Sequence, residues 1–324
     1  MAPIKKNKQE DTEKAGEETR KQFPLASSSR AIVRSNKNSP PLFETLKGPG
    51  PAQHYELRMI RPLSLGNSYV ALCETECKPH SQVVVKVIPK EEPGEFFGFG
   101  RRFRSEVSIL QTVNHDHIIK LIAAKSFDTY HVTILQYCPL GTLGDRMMTD
   151  KMYRVGEIAR IFLQISMAVL YLHRKRIIHR DIKPSNILFG GDDDRAILSD
   201  FDRARSLAPD ETHVQGRIGT YRYYAPEVCQ KPPVPYDGFL VDSYAVGLVL
   251  HTMVRKKAPE YQEDVWNKIE GLPWSFKCQA TKHLETIMSL MLAPRCSERW
   301  TMIQVAYFMK SKQVLFQKIV DAGL

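Results

Sequence analysis

The hydrophobic pattern changes period partway along the chain, and that change limits the fold more than any other feature. Ser68–Cys73, Gln82–Ile88 and His131–Tyr137 are short β-branched or apolar runs that read as strands. A turn-rich stretch with Pro79, His80 and Ser81 separates the first two and predicts an antiparallel hairpin. Phe103–Val113 carries apolar residues at 103, 107 and 110 and, offset, at 109 and 113, which is helical spacing. After Gly144 the pattern turns largely helical, over Ile158–His173, Val241–Val254, Lys282–Leu292 and Met302–Phe316. A strand-rich part followed by a larger helical part predicts an α+β chain in two lobes.

The 324 residues are enough for one large domain or two modest ones, and 43% apolar residues are enough to bury a core. The uncharged apolar stretches Ile161–Leu172 and Ser243–Val254 fall short of the roughly 20 residues that span a bilayer, so no membrane partner is expected. Residues 1–54 hold ten Lys/Arg and six Asp/Glu among Ser, Pro and Gly, and are expected to be a disordered basic tail. Their Lys5-Lys6-Asn7-Lys8 run reads either as a solvated charge run or as a nuclear address. The six cysteines are scattered without metal spacing, as in reduced cytoplasmic or nuclear proteins. A formal net charge of +10 favours acidic partners, the tail's among them. No aromatic-basic module accompanies it, so nucleic acid is not the expected partner.

The chemistry concentrates in Ile178-His179-Arg180-Asp181-Ile182-Lys183-Pro184-Ser185-Asn186. Asp181 and Asn186 supply oxygen acceptors, one suited to a hydroxyl proton and one to a hard cation, and Lys183 supplies a point charge for phosphate. Asp200-Phe201-Asp202 follows directly on the apolar run Ala196-Ile197-Leu198, and an Asp at a strand end projects into a cleft. Asn186 and Asp200 together can hold Mg²⁺ against phosphate oxygens.

These motifs resemble the eukaryotic protein kinase family. His179-Arg180-Asp181 with Asn186, Asp200-Phe201-Asp202 and Ala225-Pro226-Glu227 match HRDLxxxN, DFG and APE in order. Lys86 in Val83-Val84-Val85-Lys86 matches the strand lysine, and Glu106 its helical partner. Asp242 and Gly247 match positions on the large lobe's central helix, and Arg299 is placed to pair with Glu227. The resemblance implies a bilobal kinase domain over 55–318, with a small antiparallel lobe over 55–137 carrying one helix, a helical lobe over 138–318, and a tail over 319–324. It implies ATP and Mg²⁺ as cofactors and transfer of the γ-phosphoryl group to protein Ser/Thr hydroxyls. Asp181 would take the hydroxyl proton, and Lys183 would neutralise the γ-phosphate and mark the Ser/Thr-directed subgroup. Asn186 and Asp200 would bind Mg²⁺, and Lys86, held by Glu106, the α- and β-phosphates. Leu135 takes the gatekeeper place, Gln136 and Cys138 offer backbone groups to adenine, and Ala71, Val84 and Leu188 sandwich it. His179 packs on Phe201, and Thr220 contacts Asp181 and Lys183.

The chain departs from the family pattern in three places. The phosphate-covering loop reads Ser64-Leu65-Gly66-Asn67-Ser68-Tyr69-Val70-Ala71 and keeps only Gly66, which removes close backbone approach to phosphate. Asp202 replaces the DFG glycine and adds negative charge beside the metal site, where it either favours a further cation or holds Asp200. Activity is expected to survive, and a pseudokinase scaffold is the alternative. Arg180 implies an anion on the segment Asp200–Glu227, yet Gly216 stands at the usual phosphosite, which leaves Asp210, Glu211 or no modification. Ser185 and Thr142 stand where arginine-directed members carry acids, which argues against a strictly arginine-directed enzyme.

Overall fold

The computed structural model describes residues 46–47, 54–55, 57–65, 68–75, 82–90, 98–149, 153–191, 194–257 and 279–312. Most of the basic tail, Gly66 and residues 319–324 lie outside the described residues. Two short strands, β1 (Leu46–Lys47) and β2 (His54–Tyr55), pair with each other. β3 (Leu57–Leu65), β4 (Tyr69–Thr75) and β5 (Gln82–Pro89) follow, then helix α1 (Phe99–Thr112), β6 (Leu121–Ser126) and β7 (Tyr130–Gln136). The five strands β3 to β7 form one antiparallel sheet in the order β3-β4-β5-β7-β6.

The register fixes which side chains share a face, because cross-strand partners point the same way. Lys86 pairs with Val70 and Thr133, and Val84 with Leu72 and Leu135. Val70, Leu72, Val84, Lys86, Thr133 and Leu135 therefore share one face. His131 shares it too, and its ring stacks on Phe103 of α1 at 4.3 Å and 12°. This stack is one of the contacts that pack α1 against the sheet, with Glu106 buried.

The large lobe begins with α2 (Leu143–Met147) and α3 (Val155–Arg174). Four short strands come next: β8 (Ile177–Ile178), β9 (Ile187–Gly190), β10 (Arg195–Leu198) and β11 (Arg205–Ser206). β12 (His213–Val214), β13 (Tyr236–Asp237) and helices α4 (Gly238–Arg255), α5 (Gln279–Met291) and α6 (Met302–Ser311) complete it. By length and composition α3 could cross a membrane, but here it is the packed centre of the lobe: Ile161, Phe162, Ile165, Val169 and Leu172 are each at most 1% exposed. Helix α4 is buried along nearly its whole length. The Asp237 carboxylate accepts the Phe239 and Leu240 N–H groups at its start, a side-chain cap for otherwise unpaired donors. A Cβ on Gly247 would sit 3.0 Å from the Met291 side chain, so glycine there allows α4 and α5 to approach.

The lobes are joined by more than the hinge. The Ile119 N–H donates to Leu198 C=O and the Leu198 N–H to His117 C=O, both at 2.9 Å. The Ser105 hydroxyl of α1 donates to Ala204 C=O at 3.2 Å. These bonds bring the end of β10, and Asp200 with it, under the small-lobe sheet.

Candidate active site

The loop between β8 and β9 is shaped by one carboxylate. Asp242, wholly buried on α4, accepts the N–H of His179 at 2.7 Å and of Arg180 at 2.8 Å, and pairs with His173 at 3.1 Å. Burial pushes its carboxyl up, but the His173 hydrogen bond and the bonds at His179 outweigh it and hold it below the ordinary aspartate value. Its two backbone bonds fix the turn in which Arg180 takes φ +64°. His179 packs edge-on against buried Phe201 and bonds Ser199 C=O.

Asp181 lies next to this anchor and is 8% exposed. Lys183 Nζ donates to its Oδ2 at 2.8 Å, and the Thr220 hydroxyl donates to its Oδ1 at 2.7 Å. Lys183 also donates to Thr220 Oγ1 at 2.8 Å, which closes a triangle. Burial raises the Asp181 pKa, and the Lys183 and Thr220 bonds more than reverse it, so the group is held below the usual aspartate range and stays ionised at neutral pH. Gly219 makes the approach of Thr220 possible: it takes φ +110°, and a Cβ there would run into Arg180 C=O.

Asn186 Nδ2 donates to Asp181 C=O at 2.9 Å and to Asp181 Oδ2 at 3.2 Å, which leaves its amide oxygen for another partner. Ser199 donates its N–H and hydroxyl to Asn186 C=O, so Asn186 and the Asp200 turn are tied together. Asp200 takes φ +62°, with its side chain 39% exposed to the cleft. Among the described residues no three His, Cys, Asp or Glu cluster as a metal site. Two oxygen donors still fit Mg²⁺, which is held by one or two protein groups with phosphate and water completing its shell.

On the opposite side, Lys86 Nζ lies 3.1 and 3.3 Å from the Glu106 carboxylate and 3.4 Å from Asp200 Oδ1. Burial pulls the Lys86 ammonium down, but Glu106, Asp200 and Asp202 outweigh it and hold its pKa above the ordinary lysine value. Lys86 therefore joins a strand, a helix and the large lobe. Asp202 lies beside this cluster, 3.5 Å from Arg203, and lines a cavity of about 60 Å³ with Ser68, Lys86 and Phe103. Burial and the Asp200 charge raise its pKa.

The hinge follows β7. Leu135 pairs with Val84 on the Lys86 face, and Leu188 is half-buried in β9. The Gln136 N–H is taken by Lys120 C=O at 3.0 Å. Among the described residues, no hydrogen bond engages the N–H or C=O of Cys138.

Two expectations need correction. Ala71 pairs with Val85, on the face opposite Val84 and Lys86, so it cannot sandwich a ring with them. Leu72, paired with Val84, lies on their face instead. Glu211 does not serve Arg180: its carboxylate pairs with Arg205 at 2.5 Å, and Arg180 Nε donates to Arg203 C=O. The Glu227–Arg299 pairing is present as a buried two-bond pair at 2.5 and 3.0 Å. Sequence reasoning missed the role of Asp242 as the anchor of the loop between β8 and β9; a lone acid inside an apolar helix was the available signal.

An antiparallel-sheet lobe and a helical lobe enclosing a Lys–Glu–Asp cluster and an Asp–Lys–Asn loop define a protein kinase. The protein kinase domain family matches residues 65–309, and the chain belongs to it. The chain is 29% identical over 233 residues to a probable myosin light chain kinase of Dictyostelium discoideum, covering 69% of this chain and 58% of that protein. It is 29% identical over 228 residues to a calcium/calmodulin-dependent protein kinase of Emericella nidulans, covering 68% and 53%. It is 24% identical over 286 residues to CBL-interacting serine/threonine-protein kinase 16 of Arabidopsis thaliana, covering 85% and 58%. The matched part thus spans a little over half the length of these relatives.

Proposed function

We propose that this chain is an active Ser/Thr protein kinase that transfers the γ-phosphoryl group of MgATP to protein hydroxyls. The observation that carries the reading is the 3.4 Å approach of Lys86 to Asp200, because it closes the two lobes around one place for a terminal phosphate. Asp181, held ionised, accepts the hydroxyl proton, and Lys183 offsets charge on the transferred group. Lys86 binds the α- and β-phosphates, while Asn186 and Asp200 would hold Mg²⁺, which supplies further neutralisation of phosphate charge. Adenine lies between Val84 and Leu72 above and Leu188 below, against Leu135, with the backbone of Gln136 and Cys138 at its edge. We further propose a domain over 55–318 and acidic partners for the basic tail.

Asp202 favours a second reading, a pseudokinase scaffold, since it places an extra carboxylate beside Lys86. The test is labelled ATP with Mg²⁺ and a generic basic protein, using the wild-type chain beside Asp181→Asn. Incorporation falls about 10²–10⁴-fold in the variant if Asp181 acts as a base. Equal signal from the two proteins rejects catalysis by this chain, and a thermal shift with MgATP that persists without turnover selects the scaffold.

A further inference from the structure

Among the described residues, the segment around Thr220 carries exposed positive charge. Thr220 is bonded to Asp181, so residues just after Thr220 line the place where the acceptor's neighbours must pass. Those residues form one tight turn, Tyr221–Tyr223, in which Arg222 is exposed. Arg222 has no acidic partner among the described residues. Arg217, also exposed, donates to the neutral carbonyls of Cys229 and Gln230, at 3.1 and 3.2 Å, and has no acidic partner among the described residues. From Thr212 to Pro226 the chain contains these two arginines and no acid.

Four described acids of this lobe are engaged elsewhere. Glu227 is buried on Arg299, Asp237 caps α4, Glu211 pairs with Arg205, and Asp145 accepts the Thr142 N–H and hydroxyl. Ser185 and Thr142, on the other side of the catalytic loop, are uncharged. An extended peptide advances about 3.3 Å per residue, so side chains one to three residues from the acceptor fall within reach of this turn.

We propose that this kinase selects hydroxyls with Asp or Glu within three residues, and that Arg222 and Arg217 are the specificity-determining residues. The inference rests on the kinase reading only in placing the acceptor hydroxyl at Asp181. It predicts higher kcat/KM for short Ser peptides flanked by acids than for neutral or Lys/Arg-flanked ones, by about fivefold at low ionic strength. Arg217→Glu/Arg222→Glu reverses the order, and Arg222→Lys keeps it. In parallel, fluorescent peptides with Ala in place of Ser report binding to the full chain without turnover. Charge-dependent binding that reverses in the double variant, without turnover, removes the catalytic reading and supports this one. Turnover or binding indifferent to peptide charge, or a preference unchanged in the double variant, overturns it. So does a short oligonucleotide that displaces the acidic peptide at equal charge concentration, which would make the face a general polyanion surface.

Discussion

The catalytic loop and the Lys86 cluster face each other across one cleft, yet they are held by different kinds of bond. The loop is pinned through its backbone: a wholly buried carboxylate on α4 accepts two successive N–H groups, and neither can leave without abandoning the turn. The Lys86 cluster is held through side-chain charges from a strand, a helix and the large lobe, and its Asp200 side is 39% exposed. A backbone anchor fixes geometry whatever is bound, whereas a side-chain cluster has replaceable members. Under the proposed function, the first would suit a group that meets a hydroxyl at one distance, the second a group that exchanges partners with phosphate.

The largest effect expected from this contrast is on folding. Asp242→Ala strands two backbone donors and should cost about 3–5 kcal/mol, read as a lowered urea midpoint. A loss under about 1 kcal/mol would erase the distinction. Because the Asp242 pKa is lowered by folding, its contribution is complete above the ordinary aspartate value of about 4 and fades as pH falls through the lowered one. The gap between wild type and Asp242→Asn should narrow over that interval.

Glu106→Gln should act the other way round. Asp200 and Asp202 still face Lys86, so stability should change by about 1 kcal/mol or less, while MgATP affinity, read from thermal shift, and turnover fall about tenfold. A variant that unfolds but binds nucleotide normally would invert the comparison.

The smallest effect should come from His131, which packs on α1. Burial, with Lys90 and Arg104 nearby, lowers its pKa, so its neutral form is the one that fits. The unfolded chain takes up the proton first as pH drops below about 6.5, and stability falls there. His131→Phe should keep the Phe103 stack and flatten the decline in melting temperature between pH 7 and 5.5; an unchanged slope would dismiss His131 as its source.

Much of this was readable from local pattern. The hairpin of β4 and β5, α1, β7 and the long helices follow from apolar spacing, although β3 and β6 were not anticipated: β3 reads Leu57-Arg58-Met59-Ile60-Arg61-Pro62, with charges and a proline inside it. Asp181, Lys183, Asn186 and Asp200 stand out because their motifs are short and contiguous, whereas Lys86 and Glu106 are matched as a strand lysine and a helical acid twenty residues later.

Sequence alone indicated most of the element types and the motif residues that meet in the cleft, since periodicity and motif chemistry act within a few residues of the chain. The tertiary structure decided that Leu72 and not Ala71 shares the Lys86 face, that Asp242 shapes the loop carrying Asp181, and that Glu211 belongs to Arg205. Strand register and long-range ion pairing depend on which surfaces meet across the core, and shifting the pairing of β4 by a single residue would have turned every one of its side chains to the other face.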